Sequence, residues 1–112
     1  MQTNEIFDSC ARSAGDFAGV FEYDGETGYF YLYETSGDEG QKVRDSIHIL
    51  SGALNFGEAD ISIRWDREEQ KVGWFIKGVL WAVFDAQHHT KYGGSYQPGA
   101  KPSLPSESLV GF

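Results

Sequence analysis

The chain has 112 residues, of which 15% are aromatic and 14 are glycine, and its formal net charge is −8 at neutral pH. This length suits one domain with a real hydrophobic core, and the aromatic and glycine content predicts a β-rich fold with tight turns. The single cysteine excludes an internal disulfide and a cysteine-based zinc cluster, and the acidic balance excludes nucleic acid and anionic lipid surfaces as expected partners.

The charge is unevenly distributed along the chain. Residues 1–41 contain nine Asp and Glu residues against one basic residue, Arg12, whereas residues 42–112 contain equal numbers of acids and bases. This distribution suits a basic protein partner, and the alternative is that it simply aids solubility. The N-terminus lacks the basic and apolar regions of a secretion signal, and no segment approaches the ~20 apolar residues that span a bilayer. We therefore expect a soluble, cytoplasmic protein without a membrane partner.

The first predicted element is a short helix over residues 4–14, within an N-terminal segment of residues 1–16. Thr3 or Asn4 would cap this helix, and Gly15 would end it. We expect the helix to cover an apolar face of a sheet. Its predicted apolar stripe comprises Ile6, Phe7, Cys10, Ala11 and Ala14.

Residues 17–24 and 29–34 predict a hairpin around a glycine-rich loop at residues 25–28. Pairing of Asp24 with Tyr29 would set the register and thereby decide which side chains share a face. One predicted face comprises Phe21, Tyr23, Phe30 and Leu32, and the other comprises Val20, Glu22, Tyr29, Tyr31 and Tyr33.

The tyrosine stripe of this hairpin is the predicted binding surface, because tyrosine combines a large contact area with a polar tip. The alternative interpretation is ordinary cross-strand aromatic pairing within a sheet. Together with the acidic residues of the hairpin, the predicted binding set is Glu22, Glu26, Tyr29, Tyr31 and Tyr33.

A loop at residues 36–40 separates this hairpin from a strand predicted over residues 42–50, and residues 51–58 form the next connection. The alternation of side chains in this strand predicts two opposite faces. Val43, Ile47 and Ile49 would point one way, and Arg44, Ser46 and His48 the other.

Residues 59–65 and 72–85 predict three further strands, with the chain folding back at Lys77-Gly78. Pairing of Trp65 with Val72, and of Ile76 with Val79, would gather large apolar side chains that each stabilise by roughly 1.5–3 kcal/mol when buried. The predicted core face comprises Ile61, Ile63, Trp65, Val72, Trp74, Ile76, Val79, Trp81 and Val83. A small pair on the other face, Gly73 and Ala82, predicts that another element approaches closely there.

The last segment, residues 86–112, contains all three prolines and scattered apolar side chains. It resembles neither a helix nor a strand, and we expect a tail that packs across the sheet. The predicted fold is therefore mainly β: a six-stranded antiparallel meander over residues 17–85, forming a sandwich or half-open barrel. The short N-terminal helix and the packed tail complete a single domain over residues 1–112.

No residue pattern in the chain predicts catalysis. Asp45 lies three residues before His48, so in a strand the two side chains point to opposite faces. The Asp and His residues within 85–89 match no metal-ligand spacing, and Asp85 is better suited to bonding backbone donors at a strand end. The glycine-rich residues 92–96 lack the lysine and context of a phosphate-binding loop. We expect no catalytic residue, no metal and no cofactor.

Four strings along the chain resemble those of a family of small bacterial proteins of unknown function. They are DGETGYFY at residues 24–31, DSIHI at 45–49, ISIRW at 61–65 and LWAVFD at 80–85. The resemblance covers roughly residues 17–96 and rests on strand motifs. It implies a bacterial, cytosolic, β-rich domain, and it implies no activity, cofactor or catalytic residue.

Three hypotheses for function follow from these patterns. The first is a non-enzymatic binding module, of a regulatory or immunity type, that holds a basic protein on its acidic hairpin. The second is a small-ligand site or small enzyme, which requires polar side chains to converge in a concave pocket. Its residues would be His48, Arg64, Asp85 and Tyr92. The third is a homo-oligomer that associates through an exposed aromatic face.

Overall fold

The computed structural model describes residues 5–35, 42–97 and 99–112. It contains two four-stranded antiparallel sheets, A and B, in which each strand pairs with its neighbours in sequence order. Sheet A comprises β1 (Ile6–Ala11), β2 (Phe17–Tyr23), β3 (Thr27–Glu34) and β4 (Val43–Ser51). Sheet B comprises β5 (Ile61–Trp65), β6 (Lys71–Ile76), β7 (Val79–Asp85) and β8 (Thr90–Gly93). Short 3₁₀ helices span Glu58–Asp60 and Ser106–Leu109.

The two sheets pack face to face around a shared aromatic core. The rings of Phe21 and Trp74 have centroids 4.8 Å apart, and those of Phe30 and Phe84 lie 5.2 Å apart. Trp74 and Trp81 are buried, and Trp65 packs half-buried against the same core. The mainly β, antiparallel prediction is thus confirmed as a sandwich, but the prediction of six strands is wrong because the described chain forms eight.

The predicted N-terminal helix is wrong, because its described part forms β1. This strand pairs with β2 from Ile6 opposite Tyr23 to Ala11 opposite Ala18. Its side chains alternate, with Ile6 buried and Phe7 exposed. A short apolar run fits a helix and a strand equally well, and pairing with β2 decides the outcome. Gly15, expected to end the helix, lies in the β1–β2 turn at a φ of +75°. The predicted caps Thr3 and Asn4 lie outside the described residues.

The hairpin of β2 and β3 has the predicted faces but a different register. Tyr23 lies opposite Gly28 and Glu22 opposite Tyr29, which is a shift of two residues from the predicted pairing of Asp24 with Tyr29. Because side chains alternate with a period of two, an even shift leaves every side chain on its original face. The predicted inward-facing side chains are buried, and the tyrosine stripe lies on the outer side.

Val43 lies on the opposite face of β4 from Ile47, although the two were predicted to point the same way. The pairing of β3 with β4 shifts between Leu32 and Tyr33, so that Leu32 lies opposite Asp45 but Tyr33 lies opposite Val43. This irregularity makes Arg44 an extra residue, which reverses the alternation. Ile47 is buried in the core, whereas Val43 is exposed beside Tyr33. The predicted loop at residues 36–40 lies outside the described residues.

In sheet B the predicted turn at Lys77-Gly78 is confirmed, since both residues have positive φ and Ile76 lies opposite Val79. The pairing of Trp65 with Val72 is confirmed as well. A register shift beside Trp74 then changes the faces of β7. As a result Val83, predicted in the shared core, lies on the outer side. Val79, also predicted in that core, is 47% exposed at the hairpin end, whereas Ala82 and Phe84 are buried in the core.

The tail packs across the outer side of sheet B, but residues 90–93, predicted to belong to it and to form no strand, form strand β8 and pair with β7. Leu104 and Phe112 contact a buried cluster on this side, which we call the covered face. A Cβ atom at Gly73 would lie 3.1 Å from the Phe112 ring, so the close approach expected at Gly73 is present. Val83, and not Ala82, lies opposite it. The covered face comprises Phe75, Leu80 and Val83.

Candidate functional site

The outer side of sheet A carries a concave, largely apolar surface. It forms a cavity of about 630 Å³, which residues from all four strands of the sheet line. No segment of the described chain covers it as the tail covers sheet B. We call this surface, together with Tyr29 that stacks on Tyr31, the open face. The residues that line its cavity are Phe7, Ser9, Ala18, Val20, Glu22, Tyr31, Tyr33, Thr35 and Val43.

Strand pairing explains the shape of the open face. One row across the sheet runs from Ser9 to Val20 and on to Tyr31, and the next row runs from Ala18 to Tyr33 and Val43. The residues of β1 and β2 in these rows are small, whereas β3 contributes tyrosines. The result is a low floor with an aromatic wall along β3.

Two large apolar side chains at the margins of the open face remain in contact with water. Phe7 on β1 is 61% exposed and Val43 on β4 is 52% exposed. Exposed apolar groups scattered singly are common, but here they border an apolar cavity, and contiguous patches of this kind mark interaction sites. Burial of these side chains by a partner would release unfavourably hydrated surface.

The predicted tyrosines interact with one another along the sheet. The rings of Tyr29 and Tyr31 are stacked with centroids 6.0 Å apart, and His48 packs edge-on against Tyr29 at 5.4 Å. Partial burial, followed by the charge of Glu22, raises the pKa of the Tyr31 hydroxyl above its usual value. Tyr31 therefore remains a neutral hydroxyl, able to donate and accept hydrogen bonds at the wall of the cavity.

Acidic side chains lie at one end of the open face, near the β2–β3 turn. Glu5, Glu22 and Asp24 line a second cavity of about 470 Å³, which shares Phe7 and Glu22 with the first. Among the described residues, no cation forms an ion pair with Glu22. The apolar cavity thus has a negative margin that is free to receive a cation.

Within this turn, Asp24 has a structural role. Its Oδ1 accepts hydrogen bonds from the backbone N–H groups of Glu26 at 2.9 Å and Thr27 at 2.8 Å. These bonds, that from Thr27 first, lower the pKa of the Asp24 carboxyl. Glu26 is exposed at the tip of the turn and lies outside the lining of the 630 Å³ cavity.

The residues of the alternative ligand site occupy different parts of the molecule. His48 lies on the outer side of sheet A, where its Nε2 is 2.9 Å from Ser51 Oγ. The guanidinium of Arg64 lies over the Phe75 ring on sheet B at 4.2 Å. Asp85 and Tyr92 line a cavity of about 470 Å³ beside the tail, and neither His48 nor Arg64 lines it. The structure therefore does not bring His48, Arg64 and Asp85 together.

Asp85 organises the turn that follows β7. Its Oδ1 accepts hydrogen bonds from the backbone N–H groups of Gln87 at 3.0 Å and His88 at 2.9 Å, and its Oδ2 lies 2.9 Å from His88 Nδ1. Burial, the largest single influence, raises the pKa of this carboxyl, but the bonds from His88 and Gln87 together hold it below its usual value. Within residues 5–35, 42–97 and 99–112, no three metal-ligating side chains converge.

Sequence reasoning missed Phe7 and Val43 as parts of the open face. Phe7 was assigned to a helix, although the alternation of Ile6 and Phe7 is also the signal of a strand with one outward aromatic residue. For Val43, simple alternation predicts the face of Ile47 and Ile49, because the irregular pairing at Arg44 leaves no mark in the sequence. Both residues became recognisable only through pairing with distant strands.

Comparison with known proteins gives a family but no activity. The profile of a family described as an uncharacterised protein conserved in bacteria (DUF2251) matches residues 2–107. An uncharacterised protein of Haemophilus influenzae is 34% identical over 93 residues, which cover 80% of this chain and 56% of that relative. The chain thus spans little more than half the length of the relative. No solved structure matches the chain. In the described part of the chain, no helix has the length and apolar character needed to cross a bilayer.

Proposed function

We propose that this chain, which belongs to the DUF2251 family of uncharacterised bacterial proteins, is a non-enzymatic module that binds a basic protein. The binding surface is the open face. The observation that carries the proposal is a 630 Å³ cavity that combines apolar and aromatic walls with the carboxylate of Glu22. A regulatory or immunity-type role in the cytoplasm fits a small acidic binder with one free cysteine, Cys10.

The aromatic side chains would supply most of the binding energy. Binding energy at protein interfaces is concentrated in a few residues, with tyrosine prominent among them, at positions that become fully desolvated. Tyr31 and Tyr33 form the wall of the cavity, and Phe7 borders it on the opposite side. A partner that fills this space would bury all three rings at once.

The negative charge of this region would select a basic protein as the partner. Residues 5–35 contain seven acidic residues and a single base, Arg12, whose guanidinium is already paired with Asp16 at 2.6 Å. The negative field near the β2–β3 turn of sheet A therefore attracts cations. It accelerates association with a basic protein and repels acidic competitors. The same field makes binding sensitive to salt.

A second copy of this chain is a less suitable occupant. In a two-fold symmetric contact the same surface of each chain meets its copy, so both acidic margins, each with Glu22 and Asp24, would enter one interface. Light scattering tests this alternative. A mass that stays monomeric at high concentration supports a foreign partner, whereas a mass that rises with concentration supports self-association.

Affinity capture from lysates of the native bacterium tests the proposal. The immobilised wild-type protein is compared with Tyr31→Ala, Glu22→Lys and the control Glu68→Lys, which makes the same charge change at an exposed turn on sheet B. We expect one basic protein to be retained at low salt and released at high salt. Tyr31→Ala and Glu22→Lys should each reduce its capture by at least about tenfold, and Glu68→Lys should not. Equal capture by all four proteins would refute the proposal.

A further inference from the structure

Other parts of the chain form hydrogen bonds to the backbone at both edges of sheet A. On the β4 side, the N–H groups of Ser95 and Tyr96 donate to the carbonyl oxygens of His48 at 3.0 Å and Ile49 at 2.6 Å. Lys91 Nζ donates to the carbonyl oxygen of Ser46 at 3.0 Å. These bonds cover part of the β4 edge with a residue of β8 and with residues that follow β8. A partner strand that sought to extend the sheet at β4 would have to displace them.

The β1 side is similarly occupied. The indole Nε1 of Trp65 donates to the carbonyl oxygen of Cys10 at 2.8 Å, so a side chain of β5 occupies the edge of β1 at Cys10. Strand addition requires a continuous row of free backbone donors and acceptors. Such a row is interrupted on both edges, at Ser46, His48 and Ile49 on β4 and at Cys10 on β1, whereas no described segment lies over the face of the sheet.

A segment that binds across the open face must satisfy its own backbone hydrogen bonds. Its lining is mainly apolar, with Ser9, Thr35, Glu22 and the tyrosine hydroxyls as the polar groups. An extended segment laid on this surface would remove its own N–H and C=O groups from water without giving them partners. An α-helix satisfies its backbone internally and presents only side chains, so it meets the condition.

The dimensions of the floor agree with this choice. Ser9 on β1, Val20 on β2 and Tyr31 on β3 lie in one row across the sheet. Neighbouring strands are about 4.8 Å apart, so the floor from β1 to β3 is about 10 Å wide. An α-helix with its side chains has a diameter of about 10–12 Å.

We infer that the basic partner presents an amphipathic α-helix to the open face, an inference that rests on the proposed function. The apolar stripe of the helix lies on Val20, between Phe7 and the wall formed by Tyr31 and Tyr33. Lysine or arginine residues that flank the stripe point toward Glu22 at the acidic margin.

Two synthetic peptides of about 15 residues test this inference, a length at which a helix in water is marginal and binding can stabilise it. Both contain the same leucines and lysines. One repeats its leucines with helical spacing, and the other alternates leucine and lysine as in a strand. Because composition and charge are identical, a difference in affinity reports periodicity alone.

We expect the helical-spacing peptide to bind at least about tenfold more tightly, which is about 1.4 kcal/mol. In ¹H–¹⁵N spectra it should shift the amide signals of β2 and β3 around Val20 and Tyr31, and Tyr31→Ala should abolish these shifts. Equal or tighter binding of the alternating peptide, or shifts confined to the outer edges of β1 and β4, would overturn the inference.

The two proposals fail in different ways. If Tyr31→Ala and Glu22→Lys abolish capture of a native basic protein but the helical-spacing peptide does not bind, the helix is wrong and the module stands. If capture is indifferent to both substitutions, the module itself is wrong. Urea unfolding of each variant, expected to match the wild type within about 1 kcal/mol, shows that the fold is intact.

Discussion

The outer sides of the two sheets differ in one decisive respect. On sheet B the tail lies over the covered face, with Leu104 and Phe112 against a buried apolar cluster. On sheet A the open face carries aromatic side chains of comparable size, and no described segment lies over it. The same kind of surface is thus covered by the chain itself on sheet B and by no described segment on sheet A.

We expect the two faces to differ in their contributions to folding stability and to partner binding. Side chains of the covered face should contribute mainly to folding, because their surroundings are complete in the isolated chain. Side chains of the open face should contribute mainly to association, because no segment in the described part of the chain packs over them.

Phe75→Ala and Phe7→Ala make the same chemical change on the two faces. Phe75 is 3% exposed under the tail, whereas Phe7 is 61% exposed. We expect Phe75→Ala to lower the free energy of unfolding by about 3–5 kcal/mol, and Phe7→Ala to change it by less than about 0.5 kcal/mol. Urea denaturation measures both. A large loss in Phe7→Ala would mean that the open face is a structural part of the fold.

Gly73→Ala should disturb the contact between the covered face and the tail. The new Cβ would lie 2.5 Å from Leu80 Cδ1 and 3.1 Å from the Phe112 ring. We expect a loss of about 1–3 kcal/mol from this crowding, and faster proteolysis within residues 99–112. Gly57→Ala is the control, because its Cβ would meet only Asp60 Oδ2, at 3.9 Å. Indistinguishable proteolysis of the two variants would show that the tail is not held at Gly73.

Removal of the Lys71 ammonium group should loosen the tail less than Gly73→Ala does. Lys71 Nζ donates to the carbonyl oxygens of Glu107 at 3.1 Å and Val110 at 2.6 Å. Because these bonds are partly exposed, we expect Lys71→Met to cost about 1 kcal/mol in urea denaturation. Lys101→Met, which removes an exposed lysine elsewhere in the tail, should cost less. If both variants cost the same, Lys71 has no special part in tail docking.

The smallest effect concerns the ion pair at the β1–β2 turn, which contacts the β5–β6 turn of sheet B through Arg12. Arg12 binds Asp16 at 2.6 Å and donates from Nη1 to the carbonyl oxygen of Glu69 at 2.9 Å. The hydrogen bond from Arg12 is the main reason that the pKa of Asp16 falls to about 2. A lowered carboxyl pKa stabilises the fold above the ordinary carboxyl range, and this contribution disappears as the pH falls toward 2.

A ¹³C titration of the Asp16 carboxyl checks this prediction. We expect a midpoint near pH 2 in the wild type, and a midpoint close to the ordinary value of 3.8 in Arg12→Met. Asp24, whose carboxyl is held by backbone N–H groups, serves as the internal control, because its midpoint should not respond to Arg12→Met. Coincident Asp16 midpoints in the two proteins would contradict the assigned cause.

Local alternation predicted the faces of β2 and β3, and the tyrosine stripe with them, because a register error of two residues leaves faces unchanged. It failed where a distant strand decides the outcome. The strand at Ile6–Ala11 needs β2 as its partner, and the outward turn of Val83 depends on a shift beside Trp74. Which outer face the tail would cover was not visible in any local pattern, since that choice depends on contacts between distant residues.

Two exposed valines provide the most direct test of the division between the faces. Val43 is 52% exposed at the start of β4 on the open face, and Val79 is 47% exposed at the start of β7 outside it. Capture of the native basic partner by Val43→Asp and Val79→Asp, compared with the wild type, measures what each position contributes. We expect Val43→Asp to reduce capture by at least about tenfold and Val79→Asp to leave it unchanged. Equal capture by the two variants would contradict this expectation.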